Sequence, residues 1–239
     1  MSADSLHEII FNFENESPVE RWIGPAVQAW LLNWIRSHDP ALATALHDAN
    51  GRKPYTIGGR EQVRVTLLDS NLLMLLNEEP PPLRVNETAY PLVRVAQRQS
   101  SLSELIRSAE ADPPLPRLEL RSPVVFRSAG EDVIMPTPEL IFGSLIRAWD
   151  AFSPLPLPVQ LNEYVTRQVR IARYHLRSVG VRVPHKGARF GCVGWVKFEL
   201  LDGVPQDARW LLTALLYFAE YAGLGAGTAA GFGQVRAVV

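Results

Sequence analysis

The run Gly223-Leu224-Gly225-Ala226-Gly227-Thr228-Ala229-Ala230-Gly231-Phe232-Gly233 places five glycines in eleven residues, and the way it joins its neighbours decides the fold. Glycine has no Cβ and tolerates positive φ, so such a run lets an anion approach successive backbone N–H groups. Gly225-Ala226-Gly227-Thr228-Ala229-Ala230 formally fits G-x-G-x-x-A. A dinucleotide-binding turn, however, follows a strand, opens a helix and needs an acidic residue about 20 positions on. Here an almost wholly apolar stretch, Pro205 to Tyr221, comes first and reads as a buried helix, and the sequence ends at Val239. No Lys-Ser or Lys-Thr closes the run, so it is not a P-loop either. What remains is a loop between a buried helix and a last strand, Phe232 to Val238, serving either to hold phosphate oxygens or to let backbones pack closely.

Read outward from that loop, the second half starts with strand pieces at Val124 to Ser128 and Val133 to Met135. A helix from Pro138 to Phe152 follows, with Ile141, Leu145, Ala148, Trp149 and Phe152 on its inner face. Extended segments are expected over Leu161 to Val183 and Arg189 to Leu201. The first half repeats the order. Leu6 to Phe13 alternates as a strand, and Ile23, Val27, Trp30, Leu31, Trp34 and Ile35 form a helical stripe between Pro18 and Ser37. A short helix over Ala41 to His47 precedes strands at Tyr55 to Ile57 and Gln62 to Leu68. Asn71 to Leu76 reads as another short helix, stopped by Pro80-Pro81-Pro82, and Leu83 to Ala96 as extended chain. Ser101-Leu102-Ser103-Glu104 has a capping-box pattern and opens a helix to about Ala111, broken by Asp112-Pro113-Pro114; a strand over Arg117 to Arg121 follows. Each half therefore reads as β-α-β-β-α-β. The expectation is an α+β protein of tandem ferredoxin-like (RRM-like) domains, 1–122 and 123–239, jointed at Ser122-Pro123.

With 239 residues, 47% of them hydrophobic, the chain can bury two cores. It has no apolar run long enough to span a bilayer and no signal-peptide pattern at its start, so no membrane partner is expected. The single cysteine, Cys192, allows no intrachain disulfide and no cysteine zinc cage; a reducing cytoplasm and a core role for the thiol are the expectation. A formal net charge of -1 makes no global case for a polyanion, but the charges are unevenly spread. From Tyr164 to Val196 there is no Asp or Glu, while Arg167, Arg170, Arg173, Arg177, Arg182, Lys186 and Arg189 all fall there. If this segment is extended, Arg173, His175 and Arg177 project from one face. It is then either a basic rail for a polyanion or a solvated face whose acidic partners lie elsewhere in the fold.

Among the histidines, His47 sits where a helix ends, a position the helix dipole favours for an imidazole with no further role and one equally open to proton transfer. His38 reads as a polar helix terminus before Asp39-Pro40, and His7, in the first strand, has no supporting context.

A buried helix feeding G-x-G-x-x-x-x-x-G-F-G at the close of two ferredoxin-like halves resembles the CRISPR-associated endoribonucleases of the RAMP superfamily, which cut repeat transcripts into guide RNAs. Ser122-Pro123-Val124-Val125-Phe126-Arg127 with Pro136-Thr137-Pro138 is similar to the segment opening that family's second half, and Gly191-Cys192-Val193-Gly194-Trp195 to its central strand. Many of these tails carry a lysine where Gly227 stands. The resemblance implies a catalytic histidine in the context His47-Asp48-x-x-x-x-Lys53-Pro54-Tyr55, with Lys53 beside it; the tyrosine that some relatives place on the first helix is missing, since none precedes Tyr55. It further implies metal-independent cleavage by the ribose 2'-hydroxyl without a cofactor, leaving a 2',3'-cyclic phosphate and a 5'-hydroxyl. Repeat RNA would be held by Gly223, Gly225, Gly227, Thr228, Gly231, Phe232 and Gly233 together with Arg167, Arg170, Arg173, His175, Arg177, Lys186 and Arg189. Effector-complex subunits and a second copy of the chain are the further partners it allows. Two other classes stay open: a non-catalytic RAMP-type RNA-binding subunit, and a ferredoxin-like domain holding a small phosphorylated ligand.

Overall fold

The structure, a computed structural model, describes residues 4–15, 22–111, 114–183 and 187–239. The first half runs β1 (Ser5–Phe13), α1 (Gly24–His38), α2 (Pro40–Asp48), β2 (Tyr55–Gly59), β3 (Gln62–Leu67), α3 (Asn71–Leu75), a hairpin of β4 (Leu83–Val85) and β5 (Thr88–Tyr90), β6 (Leu92–Ser101) and α4 (Leu102–Glu110). The second half runs β7 (Arg117–Val124), a hairpin of β8 (Phe126–Ser128) and β9 (Glu131–Val133), α5 (Pro138–Phe152), α6 (Leu161–Gln168), β10 (Val169–Val183), β11 (Gly187–Leu200), α7 (Gln206–Ala222), a single 3-10 turn (Thr228–Ala230) and β12 (Val235–Val238).

The two main sheets have the orders β2-β3-β1-β6 and β10-β11-β7-β12, with every neighbouring pair antiparallel. Both orders are those of a ferredoxin-like unit, as the alternation of patterns predicts. Local chemistry accounts for the elements. α1 buries Val27, Trp30, Leu31, Trp34 and Ile35 along one stripe, with the Trp30 and Trp34 rings meeting Phe11 of β1 at 5.4 and 6.0 Å. The capping box of α4 forms as its sequence demands: Glu104 N–H donates to Ser101 Oγ at 3.1 Å, and Ser101 N–H to Glu104 Oε2 at 3.0 Å.

The cores do not follow the halves strictly. Leu102, Leu105 and Ala109 of α4, with Leu6 and Leu68, pack into the core of the second half, while Ala229 from the tail packs into that of the first. Each half thus completes the other's apolar interior.

Two sequence expectations are corrected. The change of sheet comes before Arg117, not at Ser122-Pro123, because β7 runs through that dipeptide and pairs only with β11 and β12 of the second sheet. Pro123 lacks a ladder N–H, and it is tolerated because the β7–β11 register slips between Cys192 and Gly194, opposite it. Leu161 to Gln168 is helix rather than extended chain: Leu161 and Val165 are buried one turn apart, and Glu163 pairs with Arg167 at 3.1 Å across the i,i+4 spacing. The break expected at Asp112-Pro113 lies outside the described residues.

His7 of β1 is 1% exposed, and neither ring nitrogen has a hydrogen-bond partner among the described residues. Burial lowers its pKa from 6.5, so the unfolded chain binds the proton more readily than the fold does. Stability is therefore in full above pH 6.5 and falls as the pH drops below that value toward the depressed folded-state pKa. Urea midpoints measured from pH 7.5 down to 5 should decline more steeply for the wild type than for His7→Met; equal slopes would refute this assignment.

Candidate functional site

The C-terminal end of α7, from which the glycine run issues, is enclosed by donors from the first half. Arg64 Nη2 donates to Glu220 O at 2.8 Å, Thr66 Oγ1 to Tyr221 O at 2.6 Å, and Arg52 Nη1 to Ala222 O at 2.7 Å. These are carbonyls that the helix itself leaves unpaired, at the negative end of its dipole. Gln234, at the far end of the loop, adds a return contact, with Nε2 donating to Ile57 O at 2.8 Å and Oε1 accepting from Arg64 Nη1 at 2.6 Å.

Most of the loop's N–H groups are used inside the protein. Leu224 donates to Gly233 O, Gly225 to Ser144 Oγ, Ala226 to Val125 O, Phe232 to Gly227 O and Gly233 to Pro123 O. Those of Gly227, Thr228 and Ala229 have no acceptor among the described residues. Close approach explains two of the glycines. A Cβ on Gly225, whose φ is +71°, would stand 2.2 Å from Val125 O, and one on Gly24 at the start of α1 would stand 2.0 Å from Ala230 O. Of the expected RNA-binding residues in the tail, Gly223, Thr228, Gly231, Phe232 and Gly233 are buried, and Gly225 and Gly227 are partly exposed. Phe232 is no open stacking platform: its ring lies 4.9 Å from that of Trp22, and the Arg189 guanidinium stands 5.0 Å from its centroid.

His47 lies in the last turn of α2 with its side chain exposed. Lys53 folds back on that helix end, Nζ donating to His47 O at 3.2 Å and to Ala49 O at 2.5 Å, so its ammonium meets the backbone of His47. Burial lowers the Lys53 pKa, and the charge of Asp48 opposes that shift. Between them in sequence, Arg52 reaches into the second half, and burial with the nearby Arg147 charge brings its pKa down to about 10. His38 is a helix terminus, as expected: Nδ1 lies 3.0 Å from Trp34 O and Nε2 3.2 Å from Glu78 Oε2, contacts that raise its pKa. Cys192 is buried, with its thiol pushed up to about 11 by desolvation. Among the described residues no three His, Cys, Asp or Glu side chains cluster to hold a metal ion, and no helix is long and apolar enough to cross a membrane.

The basic segment divides. Arg173, His175 and Arg177 are exposed on β10, opposite Lys197, Trp195 and Val193 of β11, and Arg173 and Arg177 meet no carboxylate among the described residues. Arg167 instead pairs with Glu163, and Arg170 turns back onto the carbonyls of Thr166, Arg167 and Val169 at the end of α6. Arg189 grips Asp132 with Nε and Nη2 at 2.9 and 3.1 Å, which with Arg127 holds that carboxyl below its usual range. Lys186 lies outside the described residues. Arg177 lines a cleft of about 810 Å³ between the two halves, together with Trp22, Arg60, Arg121 and Trp195. Sequence reasoning missed Arg52, Arg60 and Arg121, because an isolated arginine carries no pattern until the fold gives it neighbours.

The family model for CRISPR-associated endoribonuclease Cas6 matches residues 118–235. Curated proteins of that description from two strains of Mycobacterium tuberculosis are each 29% identical over 163 residues, covering 64% of this chain and 49% of the relative. The chain spans about half the length of the curated relatives it matches. Among solved structures, a Cas6 product complex is 25% identical with a TM-score of 0.81, over 98% of this chain and 100% of that one. Cas6 from Thermus thermophilus is 22% identical, TM-score 0.73, over 98% of each chain. A RAMP protein that binds different RNA substrates shares the fold at 14% identity and a TM-score of 0.59, over 98% of this chain and 100% of that one.

Because its added Cβ would meet a carbonyl at 2.2 Å, Gly225→Ala should destabilise the protein by about 2–4 kcal/mol. Gly187→Ala, also at positive φ but with nothing within 4 Å, should cost only the backbone strain of about 1–2 kcal/mol. Urea unfolding of the two variants side by side checks the difference.

Proposed function

We propose that this chain is a member of the Cas6 family of CRISPR-associated proteins, which it resembles in sequence and fold, and that it is an endoribonuclease that cuts CRISPR repeat transcripts into guide RNAs by metal-independent transesterification. The observation that carries the reading is the meeting of His47 and Lys53 at the end of α2, next to a loop that Arg52 ties to the glycine-rich tail.

In the proposed reaction the ribose 2'-oxygen attacks the adjacent phosphorus while the bond to the 5'-oxygen breaks, leaving a 2',3'-cyclic phosphate and a 5'-hydroxyl. The 2'-hydroxyl proton must leave, and the 5'-oxygen must gain one. Imidazole is the side chain suited to either transfer near neutral pH, worth typically about 10² to 10⁴ in rate, and His47 supplies one of the two. Lys53 has three N–H donors, of which two are committed to the carbonyls of His47 and Ala49, leaving one for the charge that builds on the phosphoryl oxygens. Orientation accounts for much of the rest, since in-line attack needs the scissile ribose out of helical geometry.

Binding is assigned to the exposed cations of β10, Arg173 and Arg177, with His175 beside them, and to the accessible part of the tail around Gly225 and Gly227. The cleft offers Trp195 and Arg60 as further surface for unpaired nucleotides. Phosphate contacts set affinity, while sequence selectivity comes from unpaired bases and hairpin shape. Expected RNA contacts at Arg167, Arg170 and Arg189 require release from the protein partners described above, so these residues contribute less.

Repeat RNA incubated in EDTA should be cut by the wild type, not by His47→Ala, and a substrate with a 2'-deoxy group at the cut site should survive intact. Cleavage of the deoxy substrate, or a strict need for a divalent metal, would sink the mechanism; cleavage by neither protein would favour a non-catalytic RNA-binding subunit. Replacing Arg173 or Arg177 by alanine should weaken RNA binding and flatten the salt dependence of log K by somewhat under one unit per lost phosphate contact. An unchanged slope would remove the β10 face from the binding surface.

A further inference from the structure

We infer that Arg52 is the positioning residue that sets His47 and Lys53 against RNA held by the second half of the chain. The inference rests on the catalytic reading of His47.

Arg52 is rooted in the five-residue connection between His47 and Lys53 but spends its guanidinium on the other half. Nη1 donates to Ala222 O at 2.7 Å and lies 3.4 Å from Gly223 O; Nη2 donates to Ser144 Oγ at 2.7 Å and lies 3.4 Å from the carbonyls of Ser144 and Gly225. Ser144 Oγ in turn accepts the N–H of Gly225, so one hydroxyl joins α5, the glycine loop and Arg52. The planar fork of arginine satisfies carbonyls on two sides at once, which lysine cannot reproduce.

The connection has few other restraints. Gly51, at φ +95°, has nothing within 4 Å of its Cβ position, Lys53 Nζ turns back to the carbonyls of His47 and Ala49, and Pro54 O accepts from Leu68 N–H at 2.8 Å. Ala43 and Leu46 seat α2 in the first core, and Arg52 is the side chain in this connection that ties its end to the tail. It touches none of the proposed reacting atoms and meets the tail through inward carbonyls of Ala222, Gly223 and Gly225, so its loss should appear in chemistry more than in binding. A displacement of about 1 Å at a reacting group can cost 10²-fold in rate.

The test uses the full chain with its repeat RNA. Single-turnover cleavage is measured at saturating protein, and binding with the 2'-deoxy substrate, for wild type, Arg52→Met, Arg52→Lys, Ser144→Ala and His47→Ala, with melting temperatures for each. Arg52→Met should cut about 10- to 100-fold more slowly while the Kd changes less than about threefold, with Arg52→Lys and Ser144→Ala in between. If Arg52→Met does not fold, Ser144→Ala, which removes one acceptor, carries the decision alone. Wild-type rates in the folded variants, or a loss confined to Kd, would overturn the inference while an inactive His47→Ala left the catalytic reading standing. An active His47→Ala would instead remove the catalytic reading itself.

Discussion

The last carbonyls of α7 have no partners within their own helix, and the way the first half of the chain supplies them governs the rest of the molecule. A helix end leaves four C=O groups unpaired and carries about half a negative charge. Arg64, Thr66 and Arg52 donate to three successive carbonyls, from β3 and from the connection before β2. A buried carbonyl deprived of its donor costs about 1–3 kcal/mol, so separating the halves would expose several such debts together. Two of the donors are also positive, which suits the dipole. The orientation of one ferredoxin-like unit on the other follows from this contact and from the exchange of α4 and Ala229 between the two cores.

The glycine run takes a different meaning in that setting. Its missing side chains let backbone lie against Val125 and let Ala230 meet Gly24 of α1. Its N–H groups mostly bond within the protein, and its aromatic residue packs against Trp22 and Arg189. Of the two roles considered for the run from sequence, close packing takes the larger share, and Gly225 to Gly227 are the part of it that stays partly exposed. The charges follow the same logic. Arginines that meet a carboxylate or a helix end are spent on structure, as Arg167, Arg170 and Arg189 are, whereas Arg173 and Arg177 face outward on β10.

Much of the fold is legible in the residues because its signals are local. The apolar stripe of α1, the capping box of α4 and the alternation of β1 each specify an element through contacts a few residues apart, and the sheet orders agree with the order of elements. The errors arise where two local readings compete. Leu161 to Gln168 precedes a strand without a strong breaker, so its helical spacing was masked by the extended pattern that follows; Ser122-Pro123 resembles a joint although a slip in register accommodates the proline inside β7. In the candidate site, His47 and Lys53 were singled out through the resemblance to a family motif, whereas Arg52 between them looked like an ordinary surface charge until the fold set it against Ala222.

The sequence by itself determined most of the helices and strands and that the halves repeat one topology, and it set His47 and Lys53 six residues apart across the end of α2. These depend on neighbours within a turn or a strand pair. Only the tertiary structure decided which glycines serve packing, which arginines remain free to meet an anion, and that Arg52 couples α2 to the tail. Those outcomes turn on groups more than a hundred residues apart, such as Arg52 and Ala222, whose approach is set by burial and hydrogen-bond satisfaction in the assembled cores.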